Sequence, residues 1–121
     1  MTKRDPKLFL FDILTSADTI EEYFNKISRK EFFESQLLQD AVVRRLEIIG
    51  EATKNVPLRI KNQNEQIAWK KIVGLRNILT HEYFGVNVER VWNIVKDDLP
   101  ELKKQIRKIY NELGGQEPLI K

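Results

Sequence analysis

The sequence of 121 residues contains no cysteine, a single histidine and no long uninterrupted apolar run. Without cysteine, neither a disulfide framework nor a thiolate metal site is available, so we expect a reducing, cytoplasmic compartment. No apolar stretch approaches the ~20 residues that cross a bilayer, which argues against a membrane-spanning helix. The N-terminal run is interrupted by Asp5, Pro6 and Asp12 and lacks a small-residue cleavage site, so it is not typical of a signal peptide.

The composition is typical of a folded domain with amphipathic elements. Hydrophobic residues make up 41% and charged residues 32% of the chain, unlike a disordered tail or a membrane protein. The length suits one hydrophobic core, so we expect a single domain over residues 1–121. Lysine and arginine exceed aspartate and glutamate by 21 to 18, and this net charge of +3 permits a phosphate-bearing partner without requiring one.

Apolar residues recur at spacings of three and four along most of the chain, which predicts amphipathic α-helices. Asp5 and Pro6 are typical of an N-cap followed by the first helical residue, so the first helix should begin there. A second helix is expected over about 30–55, followed by a polar connector with room for one short helical turn. A third helix is expected over about 66–83, with Gly85 ending it.

The fourth helix should follow Asn87 as its N-cap and end at Gly114 and Gly115, leaving residues 116–121 as a frayed tail. Its apolar register continues through Pro100, which favours a kink in one helix over a break between two. No segment alternates with a two-residue period for long enough to form a strand. We therefore predict an all-α, up-and-down bundle of four to five helices whose fourth helix is kinked at Pro100.

The run RNILTHEY in the third helix concentrates polar and aromatic groups around the only histidine. At about 100° per residue, Arg76, Asn77, His81 and Tyr83 fall within one sector of roughly 160°. Arginine offers a permanently charged fork for phosphate oxygens, and histidine is the side chain that titrates nearest to neutrality. These groups suit transesterification of RNA without a metal, in which a base, a cation and an acid act on one phosphate.

Acid and base are two roles, whereas the chain has one histidine. A two-fold dimer would bring a second His81 and a second Arg76 into the same cleft if the third helix lies at the interface. Tyr83 or Lys70 as the second proton carrier in a monomer is the competing solution, disfavoured at neutral pH because both types ordinarily titrate near or above 10. Structural roles also fit the spacing, since Arg76 could cover apolar surface, His81 could cap the helix and Tyr83 could pack.

The run GLRNILTHEYFGVNVERVW resembles the HepT-type proteins of the HEPN superfamily, whose motif is arginine, four intervening residues, histidine, one residue and tyrosine. Arg76, His81 and Tyr83 match that motif, and Asn77 matches the polar residue that commonly follows the arginine. The resemblance extends through IGEATKNV before the motif and IVKDDLPELKKQI after it. One departure is Ala68, where many relatives have proline, and it bears on where the third helix starts.

The resemblance implies a helical bundle of HEPN type that dimerises with both motifs facing a shared cleft. It implies a ribonuclease that needs no metal or other cofactor and acts as the toxin of a toxin–antitoxin pair. Its partner would be a minimal nucleotidyltransferase antitoxin that transfers AMP to the motif tyrosine, here Tyr83. Phosphate groups placed beside Arg76 would compete with RNA for the same cation, which is consistent with neutralisation.

Several other residues have a functional and an ordinary interpretation. Glu51 could face the cleft and orient Arg76 or His81, although an exposed carboxylate on a helix surface is the more common case. Lys70 could contact RNA phosphate, although a solvated lysine is the default. The fourth helix also carries a basic cluster of Lys103, Lys104, Arg107 and Lys108. We expect it on a solvated face, and nonspecific attraction of RNA is the alternative.

The two tryptophans, Trp69 and Trp92, stand at helical spacing among aliphatic neighbours, so we expect them in the core rather than stacked on bases. One histidine without cysteine does not support a metal site. The alternative function is a noncatalytic helical module that binds a nucleotide or a protein partner through the same face. Such a module would bind without ever cutting RNA.

Overall fold

The computed structural model describes the backbone of residues 4–81 and 87–115 and the side chains of residues 4–75 and 87–115. These residues form helices and turns without any strand, so the predicted all-α class is confirmed. The elements are α1 (Pro6–Asn25), α2 (Arg29–Glu34), α3 (Gln36–Lys54), α4 (Leu58–Asn62), α5 (Trp69–His81), α6 (Val88–Asn93), a π-helical segment (Ile94–Asp98) and α7 (Leu99–Glu112).

Helix α1 begins where the sequence predicts. The Asp5 carboxylate accepts a hydrogen bond from the backbone N–H of Lys7 at 2.9 Å, and Pro6 occupies the first turn, where its missing N–H is not needed. The buried residues of α1 recur at helical spacing from Leu10 to Phe24. This face packs against α3 and α7.

The helix expected over about 30–55 is interrupted, and the prediction of one continuous helix is wrong. Ser28 and Glu31 form a reciprocal capping box at the start of α2, with bonds of 3.1 and 2.8 Å. Ser35 has an extended backbone with ψ 103°, and its hydroxyl accepts the N–H of Leu38 at 3.1 Å to cap α3. A serine hydroxyl competes for backbone donors, so it favours a helix boundary over a helix interior.

The connector contains the short helix α4, as expected, but α5 starts at Trp69 rather than near residue 66. The carbonyl of Asn64 accepts both the N–H of Ile67 at 3.1 Å and the indole N–H of Trp69 at 2.9 Å. This turn buries Ile67 and delays the helix, whose first i to i−4 bond joins the N–H of Ile72 to the carbonyl of Ala68 at 3.1 Å. The proposed closure of this helix by Gly85 lies outside the described residues.

The predicted fourth helix comprises α6, the π-helical segment and α7 in uninterrupted succession. Asn87 caps it as expected, since its side-chain oxygen accepts the N–H groups of Glu89 and Arg90 at 3.0 and 3.3 Å. Four long helical stretches, α1, α3, α5 and this composite one, therefore make up the bundle, with α2 and α4 as short additions.

The expected disturbance at Pro100 takes the form of the π-helical segment that precedes it. The N–H of Leu99 bonds to the carbonyl of Ile94, five residues earlier. Proline lacks an N–H, and its ring collides with the carbonyl four residues before it in a regular α-helix, so the wider turn accommodates Pro100 without ending the helix. The apolar register continues through it into the buried Leu102 and Ile106.

Helix α7 ends at the predicted glycines. The N–H of Gly114 bonds to the carbonyl of Asn111 at 3.0 Å, and the N–H of Gly115 bonds to that of Tyr110 at 2.9 Å. Gly114 has φ +80°, so the pair forms a Schellman motif, which satisfies two of the last helical carbonyls. The predicted frayed tail, residues 116–121, lies outside the described residues.

Helix α3 is central, because it contacts α1 on one side and α5 on another. An aromatic cluster ties the ends of α1, α2 and α6 together: the ring centroid of Trp92 lies 4.9 Å from that of Phe24 and 5.8 Å from that of Phe32. Trp92 is therefore a packing residue, as expected. Over the described residues, none of the helices combines the length and the apolar character that a membrane span needs.

Candidate active site

The motif positions 76, 77 and 81 belong to α5 (Trp69–His81), so the structure confirms that this part of the motif is helical. The first half of the helix packs into the core through Trp69, Ile72 and Leu75, each of which is at most 9% exposed. Trp69 is further fixed by its indole bond to Asn64. The motif is thus carried by a helix whose start is held rigidly, which is the condition for positioning catalytic groups.

Helical geometry fixes how the motif positions relate to one another. Positions 76 and 81 are five residues apart, which corresponds to about 7.5 Å along the axis and about 140° around it. Position 76 follows the buried Trp69 and Ile72 at helical spacing, whereas position 81 lies on the opposite side of the helix from them. The side chains of Arg76, Asn77 and His81, and all of Tyr83, lie outside the described residues, so their predicted roles stay predictions.

Glu51, the predicted supporting residue, lies on α3 in the last turns before Lys54. Its backbone carbonyl accepts a hydrogen bond from the Asn55 amide at 2.9 Å. Its side chain is half-buried and lines a groove of about 500 Å³ between α1 and α3, together with Arg4 and Arg44. Glu51 is thus not the fully exposed carboxylate of the ordinary interpretation, and its orientation towards Arg76 stays a prediction.

Residues 4–75 and 87–115 contain no group of three or more His, Cys, Asp or Glu side chains that could hold a metal ion. His81 lies outside these ranges, so the expectation of a metal-free site is not tested. Burial lowers the pKa of Lys61. The pKa of Lys103 is raised, because hydrogen bonds and charges of two carboxylates outweigh the effect of its burial.

Lys103 is not part of a solvated face, and that expectation is wrong for this residue. Its side chain is 18% exposed, and its ammonium group bonds to Asp18 at 2.5 Å and to Glu21 at 2.6 Å. Lys104 and Lys108 are exposed, as expected. The basic cluster of α7 is therefore divided between an internal ion pair and solvent.

The fold also assembles beside α5 a group of lysines that the sequence pattern does not predict. Lys54 at the end of α3, Lys61 in α4 and Lys70 in α5 line one open groove of about 820 Å³. Only Lys70 was singled out in the sequence, because the other two are distant from the motif along the chain. A helical wheel of α5 alone contains no signal for them, since they come from two other helices.

The comparison with family models matches residues 13–109 to the family described as Ribonuclease HepT-like. Relatives align over most of the chain. One from Methanocaldococcus jannaschii, provisionally named an RNase, is 44% identical over 106 residues, which cover 88% of this chain and 97% of the relative. Another from Thermococcus cleftensis, provisionally named ribonuclease HepT, is 41% identical over 107 residues, with the same coverage of both chains.

A further Methanocaldococcus jannaschii relative is 46% identical over 111 residues, which cover 92% of this chain. Its name combines γ-glutamylcyclotransferase with a provisional RNase designation, and the chain spans only half of its length. The search of solved structures gives no significant match.

An all-α bundle that carries the arginine and histidine positions on one anchored helix is the architecture of a HEPN-type protein. The family match and the relatives show that this chain belongs to the HepT-like ribonuclease family of that superfamily. The resemblance noted in the sequence is therefore confirmed, and with it the enzyme class of the family.

Proposed function

We propose that this protein is a metal-independent endoribonuclease that acts as the toxin of a HepT-type toxin–antitoxin pair of the type VII kind in the cytoplasm. Membership of the Ribonuclease HepT-like family supports RNA as the substrate, and the matched range includes the whole motif. The observation that carries the proposal is that α5 holds positions 76 and 81 in one helix anchored at its start.

The proposed chemistry needs no water or cofactor. A base removes the proton of the 2′-hydroxyl, the 2′-oxygen attacks phosphorus, and the bond to the 5′-oxygen breaks as an acid protonates it. His81 is the proposed proton carrier, and Arg76 stabilises the negative charge that develops on the phosphate oxygens. Asn77 helps to position the phosphate, and Glu51 orients the charged groups. The products are a 2′,3′-cyclic phosphate and a 5′-hydroxyl.

We propose that the site is shared between two copies of the chain. The step of about 140° between positions 76 and 81 supports this, because Arg76 and His81 of one helix set out in divergent directions. A two-fold axis beside α5 would allow the two motifs to meet and would supply the second histidine that acid and base catalysis requires.

Cleavage of single-stranded RNA by the purified protein in the presence of a chelator tests the activity. The His81→Ala and Arg76→Ala variants should be folded and inactive, with losses of about a hundredfold or more, as is usual for a general acid–base or charge-stabilising group. Lys104→Ala, on the exposed face of α7, is the matched control and should cleave normally. Full activity of His81→Ala would refute the assignment.

Subunit mixing tests the shared site. When wild type and His81→Ala chains are allowed to exchange, a site that needs both histidines loses activity with the square of the wild-type fraction. A self-sufficient protomer loses it in direct proportion. A linear loss would therefore reject a site that needs both histidines and leave the ribonuclease assignment standing.

Tyr83 is the proposed acceptor of AMP from a minimal nucleotidyltransferase antitoxin. Intact-mass measurement after incubation with such an enzyme and ATP should show added AMP units and loss of RNA cleavage. Tyr83→Phe should abolish the addition, whereas Tyr23→Phe, in the last turns of α1, should not. Expression of the chain alone should arrest growth; unaffected growth together with RNA binding but no cleavage would favour the noncatalytic binding module.

A further inference from the structure

The groove beside α5 brings together lysines from three helices over an apolar base. We call it the α4–α5 groove, and it is lined by, among others, Lys54, Leu58, Lys61, Trp69, Lys70 and Gly74. Leu58 is 70% exposed and adds apolar surface to the groove. The groove is therefore both basic and partly apolar.

The lysines of this groove are short of acidic partners. A fourth lining lysine, Lys71, lies 3.7 Å from the Asp98 carboxylate. Lys54, Lys61 and Lys70 have no ion pair with any carboxylate among residues 4–75 and 87–115. Lys61 instead directs its ammonium group at the backbone carbonyl of Lys54, 3.4 Å away. Among the described lining residues, four lysines face one carboxylate, that of Glu65, so the groove carries an excess of positive charge.

The position of Lys61 is unfavourable in the free protein. Burial lowers the pKa of its ammonium group below the ordinary value, because the charged form loses hydration and gains no carboxylate. An anion bound in the groove would offset that loss. Charge and geometry together therefore point to an anionic occupant rather than to a neutral surface.

Glycine in the interior of α5 is the second indication of an occupant. Gly74 is about 1 kcal/mol worse than alanine as a helix former, and a Cβ added there would have no described atom within 4 Å. Packing among the described residues thus provides no reason for a glycine at this position. A ligand that lies close to the helix backbone would provide one.

The helix face that carries Lys70 and Gly74 leads along α5 towards the motif positions. Positions 70, 74, 77 and 81 follow the i, i+4, i+7, i+11 pattern and fall within about 60° around the helix axis. That face lies opposite the buried Trp69, Ile72 and Leu75. A chain lying on Lys70 and Gly74 would therefore lead to the position of His81.

We propose that the α4–α5 groove binds single-stranded RNA adjacent to the scissile phosphate, with Lys54, Lys61 and Lys70 contacting backbone phosphates and Leu58 contacting a base. This inference rests on the proposed ribonuclease function. Single strands expose base faces to apolar side chains, whereas the bases of a duplex are stacked inside it, so the apolar part of the groove selects the single strand.

Binding of a fluorescent single-stranded RNA of mixed sequence tests the proposal, with His81→Ala as background so that the RNA stays intact. The groove variant replaces Lys54, Lys61 and Lys70 by glutamine. The control variant makes the same charge change at exposed lysines of α2 and α7: Lys30, Lys104 and Lys108. Affinity is measured over a series of KCl concentrations, and the same RNA in duplex form is compared.

Each phosphate contact contributes about 0.7 to the slope of log affinity against log salt for a single strand. The groove variant should therefore lose about 2 units of slope and bind up to about 100-fold more weakly at 0.1 M salt. The control variant should change affinity by less than about threefold. Gly74→Leu should weaken binding without changing the slope, because it fills the groove and leaves its charge intact.

Equal losses in the groove and control variants would overturn the proposal, because net charge alone would then explain binding. An unchanged affinity with an altered oligomeric mass would also overturn it and identify the groove as a protein contact. If wild type cleaves RNA and the groove variant keeps its KM, the proposal fails while the ribonuclease assignment stands. If no cleavage occurs but the groove variant alone loses binding, the ribonuclease assignment fails and the groove remains an RNA site.

Discussion

The ammonium nitrogen of Lys103 lies 2.6 Å from a carboxylate oxygen of Glu21, a contact that joins α7 to α1 across 82 positions of sequence. The same nitrogen bonds to Asp18, one turn earlier on α1. Arg107, one turn further along α7, approaches Asp18 at 3.9 Å. The first and last long helices are thus connected by a small charge network at the edge of the apolar core.

Replacing Lys103 by methionine should destabilise the fold. The substitution keeps the length of the side chain but removes the ammonium group that bridges Asp18 and Glu21, and only the longer contact of Arg107 with Asp18 remains. We expect the free energy of unfolding to fall by about 1 kcal/mol, a value at the upper end for partly exposed pairs, whose carboxylates are screened by solvent. Lys104→Met, at an exposed neighbour, should change it by less than about 0.5 kcal/mol. Urea titration measures both, and equal stability of the two variants would contradict the prediction.

From neutral pH upwards, the Lys103 contribution should change only in the alkaline range. Burial by itself would lower the pKa of Lys103, but the hydrogen bonds and charges of Asp18 and Glu21 outweigh it and raise the pKa above the ordinary 10.5. The folded state therefore holds this proton more tightly than the unfolded chain, so the stabilisation is complete below pH 10.5 and is lost as the pH rises beyond it. The stability difference between wild type and Lys103→Met should be constant from pH 7 to about 10 and shrink above that. A difference that grows with alkaline pH would reject this assignment.

Glycine substitutions should separate the two kinds of glycine in the structure. Gly74→Ala should raise the free energy of unfolding by about 1 kcal/mol, because alanine is the better helix former and nothing described obstructs its Cβ. Gly115→Ala should lower it, since a Cβ there would lie 2.5 Å from the ring of Tyr110. Gly114→Ala should also lower it by about 1 kcal/mol, because φ +80° is unfavourable for alanine. Thermal unfolding of the three variants checks all three directions.

Local signals in the sequence predicted several boundaries that the structure confirms. These boundaries are at Asp5 with Pro6, at Asn87 and at the glycines after residue 113. Each depends only on hydrogen bonds to backbone groups a few residues away. The interruption at Ser35 was missed because the apolar pattern continues on both sides of it. The break depends on a capping hydroxyl and on the burial of Phe32 against other helices, which is a tertiary effect.

The candidate site likewise has features that the sequence predicts and features that depend on tertiary packing. The motif helix and the family could be predicted from residues within one stretch of chain, and both are confirmed. The pairing of Lys103 with Glu21 and the assembly of Lys54, Lys61 and Lys70 could not, because these residues come from separate helices. The three lysines meet through the packing of α3, α4 and α5, and Lys103 meets Glu21 through the packing of α7 on α1. Periodicity along one helix carries no information about either.

The proposed supporting role of Glu51 leads to a prediction that distinguishes positioning of the reacting groups from general stabilisation of the fold. Glu51→Gln keeps the size of the side chain and removes its charge. If the carboxylate orients Arg76 or His81, the variant loses this interaction with the charged group in the transition state. A hydrogen bond to a charged group contributes about 1.5 kcal/mol or more, which corresponds to a loss of about tenfold or more in kcat.

The KM of Glu51→Gln should stay within about twofold of wild type, because the interaction acts on the reacting groups rather than on the bound strand. Glu47→Gln, one turn earlier on α3 and lining the same groove, is the matched control and should leave kcat unchanged. Single-turnover and steady-state cleavage of a short RNA measure both constants. Equal kcat losses in the two variants, tracking equal losses of stability, would show that Glu51 only stabilises the fold.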